Sequence, residues 1–306
     1  MSMDVLMDKI REKGNPTVAG LDPNLSFIPK FLVEASMAKY EKPLDAAAKA
    51  IWEFNKTLID NLCDIIPAVK PQSAYYEMYG LPGMLALKRT IEYAKDKGMY
   101  VILDVKRGDI GPTAKAYSSA YLGRTNVNGE FVKVFGPDSI TVNGYLGSDG
   151  ITPFIEDVND YGGSIFVLVK TSNPSSGELQ DIVADQRPVY ETMADMVSGW
   201  GQQSMGKQGY SNIGAVVGAT YPQQLKHLRA AMEHTFFLVP GYGAQGGGAE
   251  DIAGAFDKNG EGAIVNSSRA IMCAYQTKGK PEEDFGLCAR QEAIRMRDEI
   301  AKVVYR

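Results

Sequence analysis

Short apolar runs, each followed by polar or glycine-rich residues, recur along the whole chain. Continuous apolar runs of this length are typical of strands that are buried on both faces of a parallel sheet. Many of their residues are β-branched, as is usual in strands. We therefore predict eight strands, at residues 17–22, 68–72, 100–106, 139–145, 164–172, 213–220, 236–243 and 262–269.

Helical patterns lie between these strands. Segment 43–64 has apolar residues at helical spacing and an acidic residue, Asp45, in its first turn. Segments 83–98, 188–203 and 221–234 show the same pattern. Alternation of strand and helix along the chain predicts an α/β protein with a (β/α)₈ barrel, the TIM barrel. A doubly wound open sheet has the same periodicity and stays an alternative.

The chain is long enough for one large barrel and shows no sign of a linker. It has 306 residues, of which 44% are hydrophobic, and single α/β barrels often reach this size. We therefore predict one catalytic barrel domain over residues 1–306, with insertions at 23–42 and 173–212. Residues 172–181 are rich in turn formers and follow a strand end, so we expect a mobile lid there and call them the lid segment.

The formal net charge of −5 disfavours two classes of partner. Proteins that bind nucleic acids or membrane surfaces usually present a basic face, so we expect neither partner. The first residues carry charges throughout, and no window is apolar enough for a signal peptide or a membrane-spanning helix. The sequence thus predicts a soluble, cytoplasmic protein.

Cysteines and histidines are few and scattered. Cys63, Cys273 and Cys288 lack CxxC spacing and indicate neither a disulfide framework nor a zinc site. His227 and His234 lie in a segment typical of a surface helix, where we expect a solvated or capping role. We therefore expect neither a zinc site nor a histidine-based metal site or catalytic triad.

Polar residues gather where the predicted strands end. In a TIM barrel the chemistry lies at the carboxyl ends of the strands, and this set is too polar for arbitrary strand ends. Its members are Asp22, Lys70, Asp104, Lys106, Asn143, Lys170, Ser172, Thr220, Gln245 and Arg269.

The third predicted strand ends in the sequence "VILDVKRGDIGPT", residues 101–113. Asp104 and Lys106 are two residues apart and face the same side of a strand, whereas Asp109 lies on the following loop. A salt-bridged strand end is one interpretation. The other is chemistry: an ammonium between carboxylates keeps its proton, so Lys106 suits a proton donor better than a Schiff-base nucleophile.

The last two predicted strands are followed by phosphate-binding features. "PGYGAQGGG" at 240–248 contains glycines that let backbone N–H groups approach an anion, and "NSSRA" at 266–270 supplies Arg269. Loops after strands 7 and 8 are the usual phosphate site of this fold. A glycine-rich loop alone would indicate only a flexible turn, but together with Arg269 it predicts phosphate binding.

These residues resemble the orotidine 5′-phosphate decarboxylases. The family motif D-x-K-x-x-D-I-x-x-T matches Asp104, Lys106, Asp109, Ile110 and Thr113. The resemblance also covers "GLDP" around Asp22, Lys70, "KTSNP" at 170–174, "PGYGAQGG" and "NSSRAI". The resemblance extends over essentially the whole chain, and the chain is similar to the longer, bacterial-type branch of the family.

The resemblance implies the catalytic residues. Lys106 would protonate C6 of the pyrimidine as CO₂ leaves orotidine 5′-phosphate, which yields UMP. Asp104 would lie against the substrate carboxylate, and Lys70 would complete the charge network. Asp109 would reach into the site of a neighbouring subunit, so the resemblance also implies a homodimer.

It further implies the residues that bind the nucleotide substrate. Asp22 would bind a ribose hydroxyl, and Ser172 would hydrogen-bond the pyrimidine. Gln245 and Arg269 would hold the 5′-phosphate, while Thr113 would act from the neighbouring subunit. The resemblance also implies that the reaction uses neither a metal ion nor an organic cofactor.

Two other functions stay open. One is a Mg²⁺-dependent keto-sugar-phosphate decarboxylase or aldolase of the same suprafamily, which would need another carboxylate ligand. Glu77 is the nearby glutamate, but it lies well past the strand end at Lys70. The other is a non-catalytic nucleotide-binding barrel. Dependence on Mg²⁺, or binding without turnover, separates these from the decarboxylase.

Overall fold

The computed structural model describes residues 2–243 and 248–305. Within these ranges, the barrel strands are β1 (Thr17–Leu21), β2 (Ala68–Pro71), β3 (Tyr100–Arg107), β4 (Ser139–Val142), β5 (Ser164–Lys170), β6 (Ser211–Val217), β7 (Thr235–Val239) and β8 (Ala263–Ser267). They are hydrogen-bonded into a closed barrel in the order β1-β8-β7-β6-β5-β4-β3-β2. The predicted α/β (β/α)₈ barrel is therefore confirmed, and the open sheet is wrong.

The strands are buried on both faces, as the apolar runs indicate. In β3, the consecutive residues Val101, Ile102 and Leu103 have no exposed surface. Successive side chains point to opposite faces of a strand, so both faces of β3 are covered. Val69 of β2 pairs with Val101 in parallel register. This register brings Lys70 of β2 close to Asp104 of β3.

The helices include the predicted four and several more. They are α1 (Ser2–Lys13), α2 (Lys30–Lys39), α3 (Pro43–Leu62), α4 (Ala74–Glu77), α5 (Gly80–Asp96), α6 (Gly111–Tyr121), α7 (Ser148–Tyr161), α8 (Gly177–Gln180), α9 (Val189–Gly201), α10 (Pro222–Ala231), α11 (Ala249–Ile252), α12 (Arg269–Met272), α13 (Ala274–Thr277) and α14 (Phe285–Val304). The predicted helices correspond to α3, α5, α9 and α10. Sequence reasoning missed α6, which begins at Gly111 and Pro112, and α7, which contains Pro153, because these residue types weaken a helical pattern. None of the described helices is both long and apolar enough to span a membrane.

Small elements fill the connection between β5 and α9. A 3₁₀ turn at Pro174–Ser176 leads into α8. A hairpin then pairs Val183–Ala184 with Arg187–Pro188. Its two turn residues, Asp185 and Gln186, have φ angles of 50° and 65°, which is typical of the tight turns that match strand twist. The predicted lid segment is therefore structured in this conformation.

The chain forms two compact units. One consists of Met1–Asp8, Lys106–Asn266 and Glu299–Arg306, and the other of Lys9–Val105 and Ser267–Asp298. We refer to them as the Lys106 unit and the Lys70 unit. The single domain predicted over residues 1–306 stays a prediction.

Candidate active site

In the Lys70 unit, β2 and β3 bring a lysine and an aspartate into a buried ion pair. Lys70 Nζ lies 3.0 Å from Asp104 Oδ2, and the two side chains are 6% and 10% exposed. The backbone N–H of Ser73 donates to the Asp104 carbonyl oxygen at 3.1 Å. Because both charges lie on neighbouring strands, their separation is fixed by the barrel.

This arrangement raises the pKa of Lys70 above its ordinary value. Burial alone would lower the pKa, but the negative charges of Asp104 and Asp22 and the hydrogen bond to Asp104 outweigh it. Lys70 therefore stays protonated at neutral pH. Such a fixed cation can stabilise negative charge at this strand end.

Asp22 follows β1 and holds an acceptor that no described residue satisfies. Its Oδ1 atom is buried and has no hydrogen-bond partner among the described residues. Its backbone N–H donates to the Met272 sulfur at 3.3 Å. A buried acceptor without a donor is unfavourable, so this oxygen is suited to a hydroxyl of a bound ligand.

Arg269 begins α12, whose start packs tightly on β1. A Cβ atom at Gly20 would lie 1.9 Å from Ser268 Oγ, so the approach requires glycine. The Arg269 side chain is exposed, and its guanidinium carbon lies 5.3 Å from the centroid of the Phe27 ring. The ring supports the cation from one side, and the guanidinium edge stays available for a bidentate anion.

The predicted phosphate loop is only partly described. Gln245 lies outside the described residues. Before it, Gly241 and Gly243 have φ angles of 99° and 79°, a region that glycine adopts readily. Between them Tyr242 is buried, and its hydroxyl donates to Glu299 Oε2 at 3.0 Å. The loop after β7 thus starts as a tight turn anchored by a tyrosine.

In the Lys106 unit, the end of β3 has an unusual backbone conformation. Lys106 has a φ of 44°, a backbone angle that residues other than glycine seldom adopt. Its N–H donates to Thr141 Oγ1 of β4 at 2.9 Å, and the Arg107 carbonyl accepts from Asn143 N–H at 2.8 Å. Strained residues persist only where their surroundings hold them in place, and they cluster at functional sites. The Lys106 side chain is exposed.

Asp109 and Thr113 lie beyond the strand, at the surface. Asp109 is half-buried, and its Oδ1 accepts the N–H of Ile110 at 2.8 Å. Thr113 is exposed in the first turn of α6, and Ile110 has 52% of its surface exposed. These residues therefore form an exposed edge that contains an apolar side chain.

Ser172 lies just after β5 and is half-buried. Its carbonyl oxygen accepts the Thr220 hydroxyl at 3.2 Å. Two residues earlier, Lys170 is only 1% exposed and lies 2.7 Å from Asp181 Oδ1. Sequence reasoning placed Lys170 at a strand end without a role and missed Asp181. The signal that could have found this pair is a strand-end lysine followed by an acidic residue in the lid segment.

The described residues contain no cluster of three or more His, Cys, Asp or Glu side chains that could hold a metal ion. His227 Nε2 lies 3.1 Å from Glu191 Oε1, and His234 Nδ1 lies 3.0 Å from the Gly209 carbonyl oxygen. Glu77 Oε1 accepts the Ser73 hydroxyl at 2.6 Å. These contacts account for the histidines and for Glu77 by local hydrogen bonding.

Comparison with known proteins gives consistent matches. Residues 43–282 match the model of the Orotidine 5′-phosphate decarboxylase / HUMPS family. The chain is 42% identical over 273 residues to the orotidine 5′-phosphate decarboxylase of Caldicellulosiruptor bescii, covering 89% of this chain and 90% of the relative.

Solved structures agree. The Leishmania donovani OMP decarboxylase has a TM-score of 0.74 at 27% identity, covering 100% of this chain and 99% of the other. The Leishmania donovani UMP synthase has a TM-score of 0.77 at 29% identity; the match covers 99% of this chain but only 56% of that longer one. The matches confirm the resemblance and the predicted enzyme class. The chain belongs to the orotidine 5′-phosphate decarboxylase family.

Proposed function

We propose that this protein decarboxylates orotidine 5′-phosphate to UMP and CO₂, the last step of de novo pyrimidine biosynthesis, without a metal ion. The observation that carries the proposal is the buried Lys70–Asp104 pair, followed two residues later on β3 by the exposed Lys106. Family membership supports the same reaction. The main barrier of this reaction is the formation of a carbanion. The strand ends supply fixed charges of both signs, which can stabilise it.

Lys106 is the proposed proton donor. When the bond between C6 and the carboxylate breaks, its electron pair stays at C6 and no ring orbital delocalises it. A lysine ammonium beside C6 stabilises the developing negative charge and then transfers a proton to it. Water returns a proton to the lysine amine afterwards. Atoms and charge balance without an additional reactant.

Asp104, Lys70 and Asp22 form the proposed charge network around the ribose and the carboxylate. The ion pair with Lys70 holds the Asp104 carboxylate in place, so it cannot turn away when the substrate carboxylate binds. Loss of CO₂ then removes one of two facing negative charges. Asp22 accepts a ribose hydroxyl at its buried Oδ1, which lacks a donor among the described residues.

The other proposed residues bind the nucleotide. Ser172 hydrogen-bonds the pyrimidine, Gln245 and Arg269 bind the 5′-phosphate, and Thr113 acts from the neighbouring subunit. Phosphate contacts are remote from the bond that breaks. Their binding energy can therefore order the lid segment and the site rather than only tighten substrate binding.

The first test is turnover in the presence of a chelator. The purified protein is incubated with orotidine 5′-phosphate and excess EDTA, and loss of the orotate absorbance is followed together with UMP formation. We expect conversion that added Mg²⁺ does not change. A folded protein that binds UMP but does not turn over would contradict the proposal. Turnover of a keto-sugar phosphate that requires Mg²⁺ would favour the related lyase.

We also propose a cytoplasmic homodimer in which Asp109 and Thr113 act on the partner's substrate. The exposed edge at Asp109, Ile110 and Thr113 supports this assembly, and the three free cysteines suit a reducing compartment. Mixing the inactive variants Lys106→Ala and Asp109→Ala should restore part of the activity, because one site of a mixed dimer would be intact. No recovery after demonstrated subunit exchange would place Asp109 in the site of its own chain.

A further inference from the structure

Lys170 is a buried cation that the proposed reaction does not use. It ends β5, and its side chain is 1% exposed. Its ammonium lies 2.7 Å from Asp181 Oδ1 and 3.4 Å from Ser176 Oγ. The rings of Tyr221 and Tyr190 also flank it, with their centroids 4.8 and 5.5 Å from Nζ. The Lys170 ammonium is therefore enclosed by two oxygen acceptors and two aromatic rings.

The burial of Lys170 depends on the lid segment. An ammonium removed from water is costly unless a counter-charge and hydrogen bonds compensate it. Both hydrogen-bond acceptors, Ser176 and Asp181, belong to the lid segment, whereas the aromatic rings lie beyond it. Asp181 itself is 40% exposed. When the lid segment moves away, Lys170 loses both acceptors together.

A second set of hydrogen bonds fastens the same part of the chain. The Thr171 N–H donates to Gln180 Oε1 at 2.9 Å, and Gln180 Nε2 donates to Thr171 Oγ1 at 2.8 Å. Residues 180–181 are thus tied to residues 170–171 by two adjacent side chains. Residues 172–179 form the loop between these two hydrogen-bonded ends.

Ser172 is the first residue of that loop. Its carbonyl oxygen accepts the Thr220 hydroxyl. On another side Gly218 approaches so closely that a Cβ atom there would lie 2.8 Å from Ser172 Cβ. The backbone of Ser172 is therefore fixed on one side by Gly218 and Thr220, which follow β6, and on the other by the hydrogen bonds between Thr171 and Gln180.

We propose that Lys170 is a positioning residue for the decarboxylation. Through Asp181 it holds the lid segment in the closed conformation that presents Ser172 to the pyrimidine. This inference rests on the proposed function, since it takes Ser172 as the residue that binds the base. Lys170 and Asp181 themselves need not touch the substrate.

The test separates binding of the base from binding of the ribose phosphate. Asp181→Asn removes the counter-charge, and Glu178→Gln is the matched control, because Glu178 is exposed on α8 and the charge change is the same. Dissociation constants are measured for UMP and for ribose 5-phosphate. We expect Asp181→Asn to weaken UMP by about tenfold, the size of one lost hydrogen bond, and to leave ribose 5-phosphate unchanged. Equal weakening of both ligands would overturn the inference.

A double-mutant cycle then tests the route through Ser172. Ser172→Ala and Asp181→Asn are combined, and kcat and KM for orotidine 5′-phosphate are measured for each variant. If Asp181 acts through Ser172, the double variant loses no more activity than Ser172→Ala alone. Losses that multiply would show that the ion pair acts elsewhere and would overturn the inference.

The conservative variant Lys170→Arg keeps the charge, so we expect it to retain much of the UMP affinity that Lys170→Met loses. Equal affinity of the two variants would contradict an electrostatic role. A wild-type protein that fails to turn over orotidine 5′-phosphate would overturn the proposed function instead, and that result is independent of the UMP and ribose 5-phosphate comparison.

Discussion

Lys70 and Lys170 are both buried lysines at the carboxyl ends of barrel strands, and each pairs with an aspartate, at 3.0 and 2.7 Å. Their partners differ. Asp104 lies on a strand beside Lys70 and is 10% exposed. Asp181 lies in a surface segment and is 40% exposed. The two pairs thus combine the same chemical groups with different degrees of freedom.

The difference shows that burial of a lysine does not by itself identify its role. A counter-charge on a neighbouring strand cannot leave without unfolding the barrel, so the Lys70–Asp104 pair supplies a permanent field. A counter-charge on a lid can leave with the lid, so the Lys170–Asp181 pair can report or fix its closure. The element that carries the partner decides between these roles.

Lys106→Ala should have the largest effect, and it tests whether the exposed lysine, rather than either buried one, transfers the proton. We expect a loss of kcat of more than about 10⁴-fold, because both the proton donor and the stabilising charge disappear. Affinity for UMP should be largely kept. Steady-state kinetics and UMP titration measure the two quantities, and a near-normal rate would disprove the assignment of Lys106.

Asp104→Asn and Asp181→Asn test directly whether the two ion pairs differ in their contribution to stability. Removing Asp104 leaves a buried ammonium between strands, so we expect the free energy of unfolding to fall by about 3–5 kcal/mol. Asp181→Asn should cost less, about 1 kcal/mol, because the lid segment can open and admit water to Lys170. Denaturant unfolding measures both.

The control for the change of charge is Asp64→Asn, whose carboxylate pairs with Arg290 at the surface. We expect little change in stability there. Similar losses for Asp104→Asn and Asp181→Asn would show that the two pairs do not differ in the way their exposure indicates.

Thr141→Val tests how the strained backbone at Lys106 is held. Valine has nearly the shape of threonine but cannot accept the Lys106 N–H, whose distance to Thr141 Oγ1 is 2.9 Å. We expect kcat to fall by about tenfold with little change in UMP affinity, because one hydrogen bond is lost near the reacting group. Thr141→Ser keeps the hydroxyl and should restore most of the rate. Equal rates in both variants would remove Thr141 from this role.

The smallest effect concerns alkaline pH and the Lys70 pair. In the folded state the pKa of Lys70 lies above its ordinary value of 10.5. Desolvation lowers this pKa, but the negative charges of Asp104 and Asp22 raise it by more. The stabilisation is therefore fully present below that value and is lost as the pH rises through the folded pKa. The difference in unfolding free energy between wild type and Lys70→Met should shrink only under such alkaline conditions. A difference that already shrinks near neutral pH would contradict the raised pKa.

Much of the fold and part of the site follow from the sequence. The apolar runs predict all eight barrel strands, because strands buried on both faces must be apolar along their length. The strand-end residues Lys70, Asp104 and Lys106 follow from the same runs together with the family motif. Gln245 lies outside the described residues, so its place in the phosphate site stays a prediction, as do the roles of the other site residues.

The apolar runs alone indicate which polar residues lie near the carboxyl ends of the strands. The strand ends themselves are less exact: those predicted at residues 145, 220, 243 and 269 lie at 142, 217, 239 and 267. Only the tertiary structure establishes two contacts, the Lys170–Asp181 pair and the hydrogen bond from Lys106 to Thr141. It also shows that Asp22 Oδ1 has no hydrogen-bond partner among the described residues. Periodicity reports only which side of its own element a residue faces. Contacts between elements depend on strand register and on how a connection folds back, which no local pattern encodes.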